Sequence, residues 1–251
     1  MESNFYKTYF EVEKSHWWFQ GRRSLIRWLL SVYVKDKNDF NILDIGSGSG
    51  YLVGVLQKDG YEVSGVDASL EAIEFGTSKG IKNLSLASGD KLNFPDASFK
   101  CVLCLDTIEH IKDDSFAVRE IERLLAPGGY GILTVPAYQW MWGVQDEVAH
   151  HYRRYSMKSF LNLLKSAKNL KVVRKSYFNT FLFPVVAGVR LVGKWFKIEG
   201  RESDFDIHSN LINTLLLFIF RAEIWLLRVI GYPFGVSILL VLKKNEQSIQ
   251  R

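Results

Sequence analysis

Cysteine is scarce: the chain of 251 residues has two, Cys101 and Cys104. They stand in Phe99-Lys100-Cys101-Val102-Leu103-Cys104-Leu105, a run that reads as a buried strand, and residues three apart on a strand point to opposite faces. The C-x-x-C spacing therefore supplies neither a redox pair nor half of a zinc site, and no second Cys/His pair completes one, so no metal is expected. Two free, buried thiols fit a reducing cytoplasm. A strong excess of one charge is also missing. The formal net charge is +5, which permits an anionic substrate or a membrane surface and does not call for nucleic acid. Met1-Glu2-Ser3-Asn4-Phe5-Tyr6 has no basic region followed by an apolar run, so it is not read as a signal peptide. The most apolar stretch, Leu211 to Ile230, is broken by Asn213, Arg221, Glu223 and Arg228, which argues against a transmembrane span. Internal repeats and low-complexity linkers are absent. What remains is a length for one large domain with an elaborated cap. The aromatic residues concentrate near the N-terminus and after position 137.

The most informative segment is Asn41-Ile42-Leu43-Asp44-Ile45-Gly46-Ser47-Gly48-Ser49-Gly50, followed by Tyr51-Leu52-Val53-Gly54-Val55-Leu56. An apolar strand meets an acid, then three glycines at alternate positions, then a helix. Glycines there let a ligand approach the backbone, and the free N–H groups of a helix start point at it. A dinucleotide loop wants glycine or alanine at the third position of G-x-G-x-x-G, and Tyr51 stands there, so a nicotinamide dehydrogenase is disfavoured.

Hydrophobic patterning predicts a preface helix from Arg22 to Val34, then strands and helices in alternation. Strands are expected at Ile42–Ile45, Tyr61–Val66, Leu84–Ala87, Cys101–Leu105 and Tyr130–Val135. Helices are expected at Gly50–Lys58, Ser69–Lys79 with Ser69 as N-cap, and Ser115–Leu125, the last stopped by Pro127-Gly128-Gly129. After Pro136 come an aromatic loop, a helix at Met157–Lys165, a strand at Val172–Phe178, an apolar helical stretch and a last strand at Gly235–Leu242. Such alternation gives a parallel, doubly wound sheet that binds ligands at its C-terminal strand ends.

Several motifs in this order resemble the class I S-adenosylmethionine-dependent methyltransferases, and within them the small-molecule group called type 11, over about residues 38 to 136. The first is Asp44-x-Gly46-x-Gly48-x-Gly50. The second is Asp67, ending Val63-Ser64-Gly65-Val66-Asp67-Ala68. The third is Ser88-Gly89-Asp90-Lys91-Leu92 with Phe94-Pro95 and Phe99. The fourth is Leu105-Asp106-Thr107-Ile108-Glu109-His110, and the fifth Leu124-Leu125-Ala126-Pro127-Gly128-Gly129. The resemblance implies S-adenosyl-L-methionine as cofactor, with S-adenosyl-L-homocysteine as product. It implies a glycine loop beneath the methionine part (Asp44, Gly46, Ser47, Gly48, Gly50), Asp67 and Ala68 at the ribose, and Asp90, Lys91 and Leu92 around the adenine. Leu105 and Thr107 fall beside the methyl group. It also implies a Rossmann-like, mostly parallel seven-stranded sheet with an antiparallel last strand.

The flanks resemble one branch of these enzymes. Glu13-x-x-His16-Trp17-Trp18-Phe19-x-Gly21-Arg22-Arg23 would fold over the cofactor, with Trp18 in contact and Arg22 pairing with the methionine carboxylate; the aromatics alternatively pack the preface helix. Asp146-Glu147-x-x-x-His151-Tyr152-Arg153-Arg154-Tyr155-Ser156 should lie at the ligand edge and serve the acceptor, or form a salt-bridged loop, or both. In-line methyl transfer to a hydroxyl needs a proton acceptor, and the candidates are His110, His151 and Asp106. Phe181, Phe183, Trp195, Phe196, Phe218, Phe220 and Trp225 suggest a pocket for a greasy acceptor or, equally, the cap's own core. Arg221, Arg228 and Lys194 among them suit a face lying on a membrane.

The expected organisation is an N-terminal helical cap (1–37), a cofactor-binding core (38–178), an apolar helical insertion over the substrate (179–231), and the last strand with a polar tail (232–251). The expected function is methyl transfer from S-adenosyl-L-methionine to a small-molecule or lipid-like acceptor in the cytoplasm. The alternatives are a non-catalytic binder of the same cofactor and an RNA methyltransferase. The latter lacks support from a basic groove or an Asn/Asp-Pro-Pro-Tyr motif.

Overall fold

A computed structural model describes residues 3–34, 37, 41–88, 92–196 and 209–246. In chain order the elements are α1 (Ser3–Ser15), α2 (Trp17–Tyr33), β1 (Asn41–Ile45), α3 (Tyr51–Lys58), β2 (Glu62–Asp67), α4 (Leu70–Ser78), β3 (Leu84–Leu86), β4 (Phe99–Leu105), α5 (Asp114–Leu124), β5 (Leu125–Pro136), α6 (Val144–Val148), α7 (Met157–Leu163), β6 (Leu170–Phe178), α8 (Phe183–Phe196), α9 (Asn210–Leu227) and β7 (Ser237–Lys244). The seven strands form one sheet in the order β3-β2-β1-β4-β5-β7-β6. Strands β1 to β5 pair in parallel, and β7 runs antiparallel to both β5 and β6. This is the Rossmann-like sheet with an antiparallel last strand that the motifs imply.

Burial explains the strand order. β4 and β7 are largely apolar and buried at all but one position each, Lys100 and Lys243, as interior strands covered on both faces must be. β6 alternates exposed and half-buried residues over its first half and lies at one edge, while β3 is short and lies at the other. Cys101 and Cys104 are both free and buried on β4. Ser69 caps α4 through the Ala72 N–H, and Asp113 caps α5 through the Phe116 N–H.

Two local expectations are corrected. Helix α5 ends at Leu124, and Leu125 already pairs with Phe99, so Pro127-Gly128-Gly129 lies inside β5 rather than ending the helix. The next registered pair is Cys101 with Tyr130; the intervening bulge accommodates Pro127, which has no N–H, and Gly128 at φ +76°. The N-terminal segment is two helices instead of one. They meet at His16, whose Nδ1 accepts from the Trp18 N–H at 3.3 Å and so caps α2.

The N-terminal helices and the apolar helices pack on each other. Phe220 of α9 is fully buried against Gly21 of α2, where even a Cβ would lie 2.1 Å from its ring. Trp18, Phe178 and Phe220 form a three-ring cluster, with Trp18 stacked on both phenylalanines at 5.8 and 5.6 Å between ring centres and the latter two 6.1 Å apart. The Trp17 N–H donates to Asn213 Oδ1 at 2.8 Å. Glu223, buried on α9, accepts from the Thr180 and Phe181 N–H groups at 2.7 and 2.9 Å and ties α9 to the end of β6. α9 is long and apolar enough to cross a membrane by length and composition, but its Phe220, Glu223, Ile224 and Leu227 are buried.

Candidate active site

The site grows from the end of β1. Gly46 and Ser47 both donate to the Val66 carbonyl at 2.9 Å, which folds the chain back across the top of β2. Gly46 has φ +76°, and a Cβ there would fall 2.4 Å from the Thr107 side chain. Thr107 is fixed in turn by donating to the Ile45 carbonyl at 3.1 Å. Gly48 differs: at φ +55°, a Cβ would meet nothing within 4 Å. Its side of the loop is open, and a side chain would project into that space. The Gly48 N–H donates to Asp67 Oδ2 at 2.8 Å and the Ser69 N–H to Asp67 Oδ1 at 2.9 Å. Asp67 thus holds the loop against β2 while its carboxylate stays half-buried at the strand end, beside exposed Ala68. Ser47 is buried, and its hydroxyl has no hydrogen-bond partner among the described residues.

Acids crowd this loop. Asp44 is buried on β1, and burial first, then Glu13 and Asp67, push its carboxyl up to about 7 against the pull of Arg22. Glu13 of α1 accepts from Ser49 Oγ at 3.0 Å, and burial raises it to about 7 despite Arg22 and Arg23. Helix α1 therefore reaches across to the glycine loop. Phe10 meets Tyr51 and Phe75 edge to face, and the Arg23 guanidinium lies 4.9 Å over the Tyr51 ring. Arg22 bonds Asp106 Oδ2 through Nη1 at 2.7 Å; burial works against its charge, but Asp106, Tyr9 and Glu13 together more than offset that. Asp106 sits at φ +53° and also accepts from Thr134 Oγ1 at 3.0 Å. Strain at a non-glycine residue of this kind is held by its surroundings. Here an ion pair and a hydroxyl hold it.

A second cluster lies just beyond β4. A short 3-10 turn, Ile108–His110, buries Glu109 completely and leaves His110 exposed. The loop after β5 returns to this point, where the Tyr152 N–H donates to the Glu109 carbonyl at 2.8 Å. His151 stands edge to face with His110, 4.5 Å between ring centres. His151 Nδ1 lies 2.9 Å from Asp146 Oδ1. Asp146, fully buried, also accepts from Arg154 Nε at 2.7 Å and the Gly143 N–H at 2.8 Å. Burial opposes its charge, but His151, Arg154 and Gly143 outweigh it and hold the carboxyl at about 2. An ionised Asp146 can only accept, so His151 donates its Nδ1–H to it, which fixes the tautomer and leaves the Nε2 lone pair free. Glu109 is raised far above the usual carboxylate range by burial and then by Asp106.

The glycines, Ser47, Asp44, Asp67, Ala68, Leu105, Thr107 and Arg22 therefore converge on the C-terminal ends of β1, β2 and β4. Leu92 is buried in the core, where its carbonyl accepts from Arg123 Nη2 at 2.9 Å, and Asp90 and Lys91 lie outside the described residues. Trp18 belongs to the aromatic stack of α2, β6 and α9. Among the candidate bases, Asp106 is engaged by Arg22 and Thr134, while His110 and His151 face each other. The salt-bridged loop also exists: Arg154 pairs with Asp146, and Arg153 pairs with Asp114 at 2.6 Å. Of the apolar candidates, Phe220 is core, whereas Phe181, Phe218 and Trp225 are exposed; the side chains of Trp195 and Phe196 lie outside the described residues. Sequence reasoning missed Glu109 and the role of Asp146. Glu109 follows Asp106 by three residues, but only the return of the 146–154 loop shows that it shares a site with His151.

Residues 43–133 match the family model of a methyltransferase domain of type 11. A curated relative, the uncharacterized methyltransferase YcgJ of Bacillus subtilis, is 34% identical over 122 residues, covering 46% of this chain and 48% of that protein. A ubiquinone biosynthesis O-methyltransferase of Paracidovorax citrulli is 32% identical over 97 residues, 36% of this chain and 40% of its own length. The chain thus spans about half the length, or less, of these curated relatives. Among solved structures, that of Bacillus subtilis YcgJ superposes with a TM-score of 0.57 at 18% identity, covering 90% of this chain and 99% of that one. A SAM-dependent methyltransferase of Thermotoga maritima superposes with a TM-score of 0.59 at 18% identity, covering 96% of both.

Proposed function

We propose that this chain, whose residues 43–133 match a methyltransferase domain, is a class I, type 11-like enzyme that methylates a hydroxyl of a small-molecule or lipid-like acceptor, with S-adenosyl-L-methionine as donor. The observation that carries this reading is the open, left-handed Gly48 beside the half-buried Asp67 carboxylate. That pair leaves room for a ligand against bare backbone, next to an acceptor suited to ribose hydroxyls. The electrostatics agree. Glu13, Asp44, Asp67 and Asp106 surround the loop with Arg22 as the main counterion, a setting that favours a cationic ligand.

Bound there, the cofactor supplies an electrophilic methyl group on a sulfonium. Asp67 orients the ribose side, and the Arg22 guanidinium, with one nitrogen on Asp106, keeps other donors for a carboxylate. The cap helices shield the loop: Glu13 of α1 holds Ser49, and Phe10 of α1 and Arg23 of α2 pack on the Tyr51 ring. The acceptor is activated where Glu109, His110 and His151 converge beside Asp106. Lone pairs on the two imidazoles suit an O–H acceptor, and the ubiquinone O-methyltransferase relatives are in accord with such chemistry.

The lipid-like part of the proposal rests on α9. Leu211, Leu215, Phe218 and Trp225 fall on one helical stripe and are 58–84% exposed. Arg221 and Arg228 are exposed alongside. Such a face suits the surface of a membrane that holds the acceptor.

Calorimetric titration with S-adenosylmethionine and S-adenosylhomocysteine, with NAD as control, tests the core of the proposal. Both sulfur ligands should saturate one site, and Asp67→Ala should weaken them by about 2 kcal/mol, roughly 30-fold. Binding of neither would refute the reading. Tight binding without turnover on any hydroxyl acceptor would instead favour a cofactor-binding protein.

A further inference from the structure

We propose that Glu109, His110 and His151 form a binding site for a first-row divalent cation at the acceptor end of the pocket. The proposal deepens the methyltransferase reading and rests on it for its chemistry, although the site itself stands on geometry alone. One ligand atom from each of the three residues lies within 4.8 Å of the others. Atoms about 2.1 Å from a shared ion are at most about 4.2 Å apart, so a small rotation of one ring closes the set.

The decisive observation is Glu109. It has no exposed surface, and apart from its own backbone N–H neither carboxylate oxygen meets a donor among the described residues. A buried carboxylate without partners is costly. The two nearby arginines are committed elsewhere, Arg154 to Asp146 and Arg22 to Asp106. A cation between Glu109 and the two imidazoles supplies the missing partner.

His151 is prepared for this role. Its Nδ1 is tied to buried Asp146, the carboxylate–histidine arrangement that orients a metal-ligating imidazole and raises its basicity. Asp146 is anchored in turn by Arg154 and the Gly143 N–H, so the ring is held rigidly. Two histidines and one carboxylate leave open coordination positions and favour Mn²⁺, Fe²⁺, Co²⁺ or Zn²⁺ over Mg²⁺ or Ca²⁺, which prefer all-oxygen sets.

The open positions suit the acceptor oxygen. There the ion lowers the pKa of the acceptor hydroxyl, whose proton passes to solvent. The oxygen lone pair forms the new C–O bond as the C–S bond breaks, and that electron pair stays on sulfur as the neutral thioether. His151 is then a ligand, and no imidazole need carry the proton.

Full-length protein stripped with chelator and titrated with CoCl₂, with and without S-adenosylhomocysteine, tests the site. One Co²⁺ per chain should bind with a visible d–d absorption. Glu109→Gln, His110→Gln and His151→Gln should each weaken binding at least tenfold, and Asp146→Asn tenfold or more through His151. Glu109→Gln should still bind S-adenosylhomocysteine like the parent, which also shows that it folds. Absence of Co²⁺, Mn²⁺ and Zn²⁺ binding below millimolar concentration, or unchanged Co²⁺ binding by Glu109→Gln, overturns the proposal. Loss of S-adenosylhomocysteine binding by the parent would instead be a failure of the cofactor reading.

Discussion

Replacing Asp146 with asparagine separates the structural from the functional work of one carboxylate. Asp146 is fully buried and holds His151, Arg154 and the Gly143 N–H. Two independent routes give the cost. The carboxyl is held at about 2 against an ordinary 3.8, a difference worth about 2 kcal/mol in the folded state. That stabilisation is present above the ordinary value and is lost as pH falls through about 2. Removing one partner of a buried ion pair costs about 3–5 kcal/mol, because the other charge is stranded; here that charge is Arg154, whose side chain is 8% exposed. Asparagine keeps one acceptor oxygen, so the expected loss is about 2–4 kcal/mol, read as a lowered urea midpoint at pH 7. Arg154→Met added to Asp146→Asn removes the stranded charge and should restore most of the stability. It should not restore methyl transfer, because His151 remains untethered. An unchanged urea midpoint in the single variant, or recovery of activity together with stability in the double variant, would refute this account of the loop.

Glu13 gives a pH-dependent counterpart. Its folded pKa of about 7 lies above the ordinary 4.5, so the folded chain keeps a proton that the unfolded chain has released, and stability falls as pH rises between these values. The full difference is at most about 3 kcal/mol. Glu13→Gln should match the parent at pH 5 and exceed it at pH 8 by up to that amount in urea titrations; an identical pH slope would show that burial of this acid is not felt. For α9, Phe218→Ser with Trp225→Ser should abolish co-sedimentation with anionic liposomes at low salt while leaving S-adenosylhomocysteine affinity unchanged. Failure of the parent to sediment would remove the support for a lipid-bound acceptor.

The alternation of strands and helices was legible because interior parallel strands are continuous apolar runs and their covering helices repeat at helical spacing. The glycine loop was legible for a similarly local reason. Gly46, Gly48 and Gly50 all take positive φ, a backbone demand that a sequence shows directly. The first N-terminal helix and the early start of β5 at Leu125 were missed. A histidine cap joins α1 to α2, and a bulge on β5 absorbs Pro127-Gly128-Gly129; neither has a strong sequence sign.

The strand pattern, the glycine loop and the acid at the end of β2 are readable from the chain alone, since each rests on neighbouring residues. What the remaining polar residues do follows from packing. Trp18 stacks with Phe178 and Phe220, and His151 meets Glu109 and His110, through contacts that bring together segments some 40 to 200 residues apart. Such pairings depend on how loops return over the sheet. Nothing in the local spacing of Asp106, Glu109 and His110 says that a buried Asp146 will hold a second imidazole against them.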